Sequence, residues 1–292
     1  MPPSRWRVLD ERSPGGGRPK AWLFLTHPGP SLLVTVTVVA AAALLGGGAP
    51  SVRTAVGLVL VMLPAQLAIG ALNDWADWSL DSVAKPFKPI PRGMVSRWAA
   101  LVLALACLLV SAGAAAYLGT GVLLADALAI AAGTAYDMGL KRTPAAVLAW
   151  WAGLAAIPLM AMAVIGRSQG AAALLPLAGA IALALLLANG LPDREGDRRG
   201  GARTLAAVLG VGRSRRLLSA ALLGAAVYAL LVRGLVGQSD LAVAAAALLG
   251  LGGALVPVLT GRRGRLAFPV LAVLSATAAI SWLAALPVQP AR

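Results

Sequence analysis

The sequence predicts an all-α, polytopic membrane protein with nine transmembrane helices. Of its 292 residues, 59% are hydrophobic and only 12% are charged, which excludes a disordered chain and is atypical of a soluble domain. A membrane-spanning helix needs about 20 apolar residues. Nine segments of this kind follow one another, at residues 22–46, 53–73, 96–118, 120–136, 143–166, 171–190, 214–236, 239–260 and 266–287.

The polar segments between these helices are too short to form a separate soluble domain. We therefore expect a single transmembrane domain over residues 21–292, preceded by a disordered basic cytoplasmic arm at residues 1–20, which is rich in Pro, Gly and Arg. The first apolar segment is too long for a cleavable signal peptide and lacks a small-residue cleavage pattern. The fourth segment is the shortest and carries Asp126.

The net charge of +14 could suggest binding to nucleic acid, but its distribution indicates membrane topology instead. With nine helices and a cytoplasmic N-terminus, only four of the 25 Lys and Arg residues lie outside the cytoplasm: Arg53, Arg167, Arg233 and Arg292. An excess of cations in cytoplasmic segments is the usual bias of membrane proteins. We therefore predict a multi-pass protein of the cell membrane, in contact with lipid, with a cytoplasmic N-terminus and no nucleic-acid partner.

Two acidic clusters occur at the ends of apolar segments. Asn73, Asp77 and Asp81 are spaced by four residues after the second segment, and Asp193 and Asp197 have the same spacing after the sixth. In a helix, four residues advance about 400°, so such residues share one face. Carboxylates at membrane depth are costly and mark functional sites.

These clusters have the chemistry of a magnesium site. Mg²⁺ prefers oxygen ligands and is typically held by one or two carboxylates together with substrate phosphate. Basic side chains follow both clusters, and cations beside Mg²⁺ suit a diphosphate leaving group. Prolines stiffen the loop after the first cluster. The predicted diphosphate-binding residues in these two loops are Lys85, Lys88, Arg92 and Arg198.

The acidic clusters are 116 residues apart, and the basic pairs that begin at Lys141 and Arg262 are 121 residues apart. Four-helix units repeated in parallel would give this spacing and would place both acidic loops on one side of the membrane. Trp75 and Trp78 lie beside the first cluster. Tryptophans there can form an interfacial belt or an aromatic wall around a carbocation.

Three polar segments together form a specific combination of motifs. NDWADWSLDSVAKPFKPIPRG (73–93), YDMGLKR (136–142) and DREGDRRGGARTLA (193–206) resemble the signature loops of the UbiA-type intramembrane prenyltransferases. The resemblance implies a helical bundle around a central cavity, with Asp77, Asp81, Asp193 and Asp197 as catalytic residues that bind Mg²⁺. It also implies that Asn73 assists at the diphosphate, and that Lys85, Lys141 and nearby arginines such as Arg142 bind the diphosphate. The chain departs from the pattern at Lys88, where many relatives carry Arg, and at Asp137, which we interpret as a helix cap.

The resemblance implies that Mg²⁺ and the basic residues draw electrons from an allylic prenyl diphosphate. Its C–O bond then ionises, and a lipophilic acceptor, which we expect to be aromatic, attacks the allylic cation. Three alternatives share the acidic residues: a terpene cyclase on the same diphosphate, an enzyme that alkylates a glycerol phosphate or sugar phosphate, and a cation-coupled transporter. A transporter would place its charges near the membrane midplane, whereas these clusters lie at the ends of apolar segments.

Overall fold

A computed structural model describes residues 17–167, 171–232, 240–261 and 266–284. Within these ranges the regular structure is entirely helical, as predicted. The helices are α1 (Gly17–Leu25), α2 (Pro28–Leu45), α3 (Val52–Ala76), α4 (Trp78–Ala84), α5 (Arg97–Leu118), α6 (Thr120–Asp137), α7 (Ala146–Val164), α8 (Ala171–Gly190), α9 (Arg194–Arg199), α10 (Leu205–Leu231), α11 (Asp240–Leu259) and α12 (Ala267–Ala284), with a 3-10 turn at Leu140–Arg142 between α6 and α7.

Nine of the described helices are 18 residues or longer, and each overlaps one of the nine predicted segments. Seven of them are long and apolar enough to cross a membrane: α2, α3, α5, α7, α8, α10 and α11. Helix α6 falls outside that set, and the described part of α12 offers a shorter apolar stretch, Ala267–Ala279. The polytopic all-α fold is therefore confirmed. The count of nine spans, the parallel repeat, the central cavity and the orientation stay predictions.

The prediction of one continuous helix over residues 22–46 is wrong, because the structure has two helices there. The chain turns at Thr26 and His27 between α1 and α2, and His27 adopts a left-handed φ of 47°. Pro28 then opens α2, where its missing N–H costs nothing. Helix α1 begins at Gly17, so residues 17–20 of the predicted arm are helical, while residues 1–16 of that arm lie outside the described residues.

Small side chains allow the helices to pack closely, as expected in membrane bundles. A Cβ atom on Gly133 of α6 would lie 2.6 Å from Ile69 Cδ1 of α3. Gly70 of α3 faces the turn between α1 and α2, because its Cβ would lie 3.1 Å from the carbonyl of Thr26. Helix α3 thereby contacts both the α1–α2 turn and α6.

A small apolar cluster anchors the loop between α4 and α5. Ile90 and Val95 of this loop are buried against residues of α1, α3 and α5, including Leu25 and Ala68. The loop is further closed by the backbone N–H of Met94, which donates to the carbonyl of Pro89 at 3.0 Å. This packing fixes the loop that carries Lys88.

Candidate active site

The two acidic loops lie at the same end of the bundle. Lys141 Nζ, from the turn between α6 and α7, donates to Asp77 Oδ2 at 2.6 Å, and Arg142 Nη2 lies 4.0 Å from Asp77 Oδ1. The backbone N–H of Arg203, which follows the second acidic loop, donates to the carbonyl of Arg142 at 2.9 Å. One basic turn therefore joins the loops that carry Asp77 and Asp197.

The first cluster has the helical geometry that its spacing predicts. The N–H of Asp77 donates to the carbonyl of Asn73 at 3.0 Å, and the N–H of Asp81 donates to that of Asp77 at 2.8 Å. Helical hydrogen bonding thus continues from α3 into α4 through Asp77, although the helix bends there. Asn73, Asp77 and Asp81 are therefore on successive turns.

Lys88 lies between two buried carboxylates. Its Nζ donates to Asp74 Oδ1 at 2.7 Å and to Asp81 Oδ2 at 2.6 Å. Burial alone would lower the pKa of Lys88, but the hydrogen bonds and charges of Asp74 and Asp81 prevail and raise it above its ordinary value. The lysine predicted to bind diphosphate is thus held by the acidic cluster itself.

Asp74 is a site residue that sequence reasoning missed. One residue advances a helix by about 100°, so helical periodicity alone does not assign Asp74 to the face of Asn73, Asp77 and Asp81. The structure directs it instead toward the α1–α2 turn, where its Oδ1 lies 3.4 Å from His27 Nε2 as well as binding Lys88. Its partners, His27 and Lys88, are distant in the sequence, and no local sequence pattern predicts these contacts.

Asp137 does not act as the helix cap inferred from the sequence. Its carboxylate accepts a hydrogen bond from Asn73 Nδ2 at 2.9 Å and lies 3.7 Å from Lys141 Nζ. The side chain is buried, and its Oδ2 has no hydrogen-bond partner among the described residues. Asp137 therefore contacts both the first acidic cluster and the basic turn.

The second cluster is built around α9. The N–H of Asp197 donates to the carbonyl of Asp193 at 2.9 Å, and Thr204 Oγ1 donates to Asp197 Oδ2 at 2.9 Å. Burial raises the pKa of Asp197, against the hydrogen bond from Thr204, and the charge of Asp193 raises it further. Lys85 is close enough to lower that pKa, so the loop after α4 faces the second cluster.

The other predicted cations are accessible at this end of the bundle. Lys85, Arg92, Arg142 and Arg198 are exposed, whereas Lys141 is partly buried beside Asp77. Exposed cations on three different loops can approach an anion together. Whether each contacts diphosphate stays a prediction.

The donor set fits Mg²⁺, which takes carboxylate and amide oxygens. Within the part of the chain that the structure describes, no three His, Cys, Asp or Glu side chains are gathered closely enough to hold a metal. Two of the four predicted ligands, Asp77 and Asp81, are instead paired with Lys141 and Lys88. The metal-binding roles therefore remain predictions.

The aromatic residues beside the first cluster are covered by a cation. Arg97 Cζ lies 4.5 Å from the ring centroid of Trp75 and 5.4 Å from that of Trp78. Tyr136 precedes Asp137 at the end of α6, and the charges of Asp77 and Asp197 both act on it. Its ring packs edge-on against Trp150 at 6.2 Å between centroids. Tyr136 and Trp150 therefore add an aromatic pair at this end of the bundle.

The family model of the UbiA prenyltransferase family matches residues 33–266, which include both acidic clusters and the basic turn. The chain belongs to this family. It is therefore a prenyltransferase by family, as the resemblance of its three loops implied.

Curated relatives point to one kind of enzyme. The chain is 31% identical over 201 residues to the digeranylgeranylglyceryl phosphate synthase of Thermococcus kodakarensis, covering 65% of this chain and 69% of the relative. It is 34% identical over 166 residues to the enzyme of the same name from Methanoregula boonei, covering 53% of this chain and 56% of the relative.

Solved structures share the fold. A UbiA homologue from Archaeoglobus fulgidus, bound to GPP and Mg²⁺, superposes with a TM-score of 0.73 at 16% identity, over 91% of this chain and 98% of that one. A structure described as digeranylgeranylglyceryl phosphate synthase superposes with a TM-score of 0.71 at 15% identity, over 92% and 97%. At such identities the likeness establishes the fold alone.

Proposed function

We propose that this prenyltransferase uses Mg²⁺ to transfer a prenyl group from an allylic diphosphate to a lipophilic acceptor. The observation that carries the proposal is the convergence of both acidic loops on the basic turn at Lys141 and Arg142. A diphosphate needs metal ligands and cations on several sides, and this end of the bundle supplies both. The A. fulgidus homologue bound to GPP and Mg²⁺ supports the same ligand pair.

In this proposal Asp77, Asp81, Asp193 and Asp197 hold Mg²⁺, and Asn73 contributes its amide oxygen. When bound, Mg²⁺ withdraws electrons from the diphosphate and so favours cleavage of the allylic C–O bond. Lys85, Lys141 and the exposed arginines neutralise charge on the departing diphosphate. Because Lys88 and Lys141 already pair with Asp81 and Asp77, these ammonium groups are positioned to pass from carboxylate to diphosphate oxygen.

The acceptor that we favour is a glyceryl phosphate lipid rather than an aromatic ring. The sequence motifs favoured an aromatic acceptor, but the relatives described above are named for digeranylgeranylglyceryl phosphate synthesis. With such an acceptor, a hydroxyl oxygen attacks the allylic carbon, the C–O bond to diphosphate breaks, and the hydroxyl proton passes to a carboxylate or to the released diphosphate.

A basic cavity beside the second acidic loop suits the phosphate of that acceptor. It has a volume of about 270 Å³ and is lined by Arg194, Arg215 and Thr260, among others. Arg194 and Arg215 each donate one N–H to a backbone carbonyl, and Arg215 Nε is buried with no partner among the described residues. Guanidinium groups with unused donors bind phosphate well. Arg215→Ala should therefore raise KM for the glyceryl phosphate acceptor and leave KM for the allylic diphosphate unchanged.

The proposal is tested by incubating the purified protein with Mg²⁺ and allylic diphosphates of several lengths. Each is offered with a prenylated glyceryl phosphate, with a phenol, or with no acceptor, and both released diphosphate and lipid products are measured. We expect an ether-linked glyceryl phosphate product, and reversible loss of activity on chelation with EDTA. A prenylated phenol alone would restore the aromatic acceptor. A cyclic hydrocarbon without acceptor would indicate a cyclase, and no diphosphate release under any condition would refute prenyl transfer.

A further inference from the structure

Asp137 has contacts that the proposed chemistry does not yet use. It ends α6 and is 4% exposed. Its Oδ1 accepts a hydrogen bond from the Nδ2 of Asn73, 64 residues earlier in the chain, at 2.9 Å. Burial of a carboxylate is costly unless it is paired, so a buried aspartate at this point needs an explanation.

The hydrogen bond fixes which end of the Asn73 amide faces Asp137. The amide has two donors on nitrogen and an acceptor oxygen. Rotating the amide by half a turn would bring its oxygen against Asp137 Oδ1 at the same distance, and two acceptors without a proton repel each other. While Asp137 Oδ1 accepts, the amide keeps the observed orientation, in which Asn73 Oδ1 points away from Asp137.

That orientation matters because a hard cation takes the oxygen of an amide and not its nitrogen. An asparagine free to rotate would present nitrogen part of the time. Ligands of metal sites are commonly oriented by a second group in this way, and removal of that group weakens the site.

Lys141 lies beside Asp137 as well as Asp77. Its Nζ lies 3.7 Å from Asp137 Oδ1 and 2.6 Å from Asp77 Oδ2, so a single ammonium group lies against both carboxylates. Asp137 Oδ1 accepts the hydrogen bond from Asn73, whereas Asp137 Oδ2 has no partner among the described residues. Asn73, Asp77, Asp137 and Lys141 thereby form one connected group that joins α3 to the end of α6.

We propose that Asp137 is a positioning residue, which holds the Asn73 amide with its oxygen available to Mg²⁺. The inference rests on the proposed function, because it takes Mg²⁺ to be the ligand of the first acidic cluster. It assigns Asp137 an action through Asn73 and no contact with substrate.

The test measures metal binding rather than turnover. Mn²⁺ serves as a paramagnetic substitute for Mg²⁺, and its binding to the full chain is followed by electron paramagnetic resonance with dimethylallyl thiolodiphosphate, an unreactive diphosphate analogue. Asp137→Ala should weaken Mn²⁺ affinity by about 10- to 100-fold. Asp137→Asn retains an oxygen that can accept from Asn73, so it should restore most of that affinity although it removes the charge beside Lys141.

A double-mutant cycle identifies the path of the effect. In an Asn73→Ala background the amide is gone, so adding Asp137→Ala should change Mn²⁺ affinity by less than about twofold. Independent, additive losses would overturn the inference. So would an Asp137→Ala variant that binds Mn²⁺ as tightly as the wild-type chain.

Failure of the inference can be distinguished from failure of the proposed function. A wild-type chain that binds no Mn²⁺ in the presence of the analogue contradicts both. A wild-type chain that binds Mn²⁺ while Asp137→Ala is indistinguishable from it contradicts only the positioning role. If Asp137→Ala does not fold, Asp137→Leu fills a similar volume without an acceptor, and the same losses are expected.

Discussion

Replacing Lys88 by methionine should strongly destabilise the folded protein. Methionine is similar in length but carries no charge. The change leaves Asp74 and Asp81, which are 2% and 4% exposed, without the ammonium group that lies 2.7 and 2.6 Å from their oxygens. The two buried carboxylates would then lie close together without the ammonium group that compensates their charge.

The expected magnitude follows from these contacts. Removing one partner of a buried ion pair costs about 3–5 kcal/mol, because the remaining charge is uncompensated. Here one of the two carboxylates would take up a proton, which limits the cost. The raised pKa of Lys88 keeps its ammonium charged at neutral pH, so its contribution is present there and is lost only as the pH rises above its ordinary value of 10.5.

The free energy of unfolding would be measured in mixed micelles by titration with a denaturing detergent, followed by tryptophan fluorescence. Lys85→Met is the matched control, since Lys85 is exposed in the same loop and should change the free energy by less than about 0.5 kcal/mol. Adding Asp74→Asn to Lys88→Met should recover part of the loss. The reasoning is refuted if Lys88→Met unfolds no more easily than Lys85→Met.

Three further predictions follow from the same contacts. Asp77→Ala or Asp193→Ala should abolish Mg²⁺-dependent release of diphosphate, measured with radiolabelled substrate, while the protein remains folded in detergent. Thr204→Val removes the hydrogen bond to Asp197 and raises the pKa of that carboxyl further, so the acid limb of the kcat/KM profile should move to higher pH. Gly70→Ala places a Cβ 3.1 Å from the backbone of the α1–α2 turn and should lower the free energy of unfolding by about 1–3 kcal/mol.

Each of these predictions has a matched control in the chain. Glu195→Ala alters an acidic residue of the second loop whose partner is the exposed Arg199, and activity should be retained. Thr204→Ser keeps the hydroxyl and should keep the wild-type pH profile. Gly113→Ala adds a Cβ with nothing within 4 Å and should not destabilise the protein. Equal effects in a variant and its control would contradict the corresponding prediction.

Apolar runs were sufficient to predict the helical bundle, because length and hydropathy decide which segments enter a membrane. They were not sufficient at the first segment, where the chain breaks at His27. Thr26 and His27 precede Pro28, Gly29 and Pro30, and the residue before a proline is biased away from the helical conformation. The break therefore had a local signal, which apolar length alone does not take into account.

The candidate site was also predictable only in part from the sequence. Helical periodicity correctly predicted that Asn73 and Asp77 lie on successive turns. It could not predict that Asp74 would bind Lys88 or that Asp137 would bind Asn73, since these pairs are 14 and 64 residues apart. Pairing between loops depends on how α3, α6 and α9 are arranged in space.

The central claim is that one diphosphate is shared between the two acidic loops. A structure of the protein with Mg²⁺ and dimethylallyl thiolodiphosphate tests it most directly. We predict metal ions ligated by Asp77 from the first loop and by Asp193 or Asp197 from the second, with the diphosphate bridging them. A diphosphate bound to one loop alone, or bound away from both, would contradict the account.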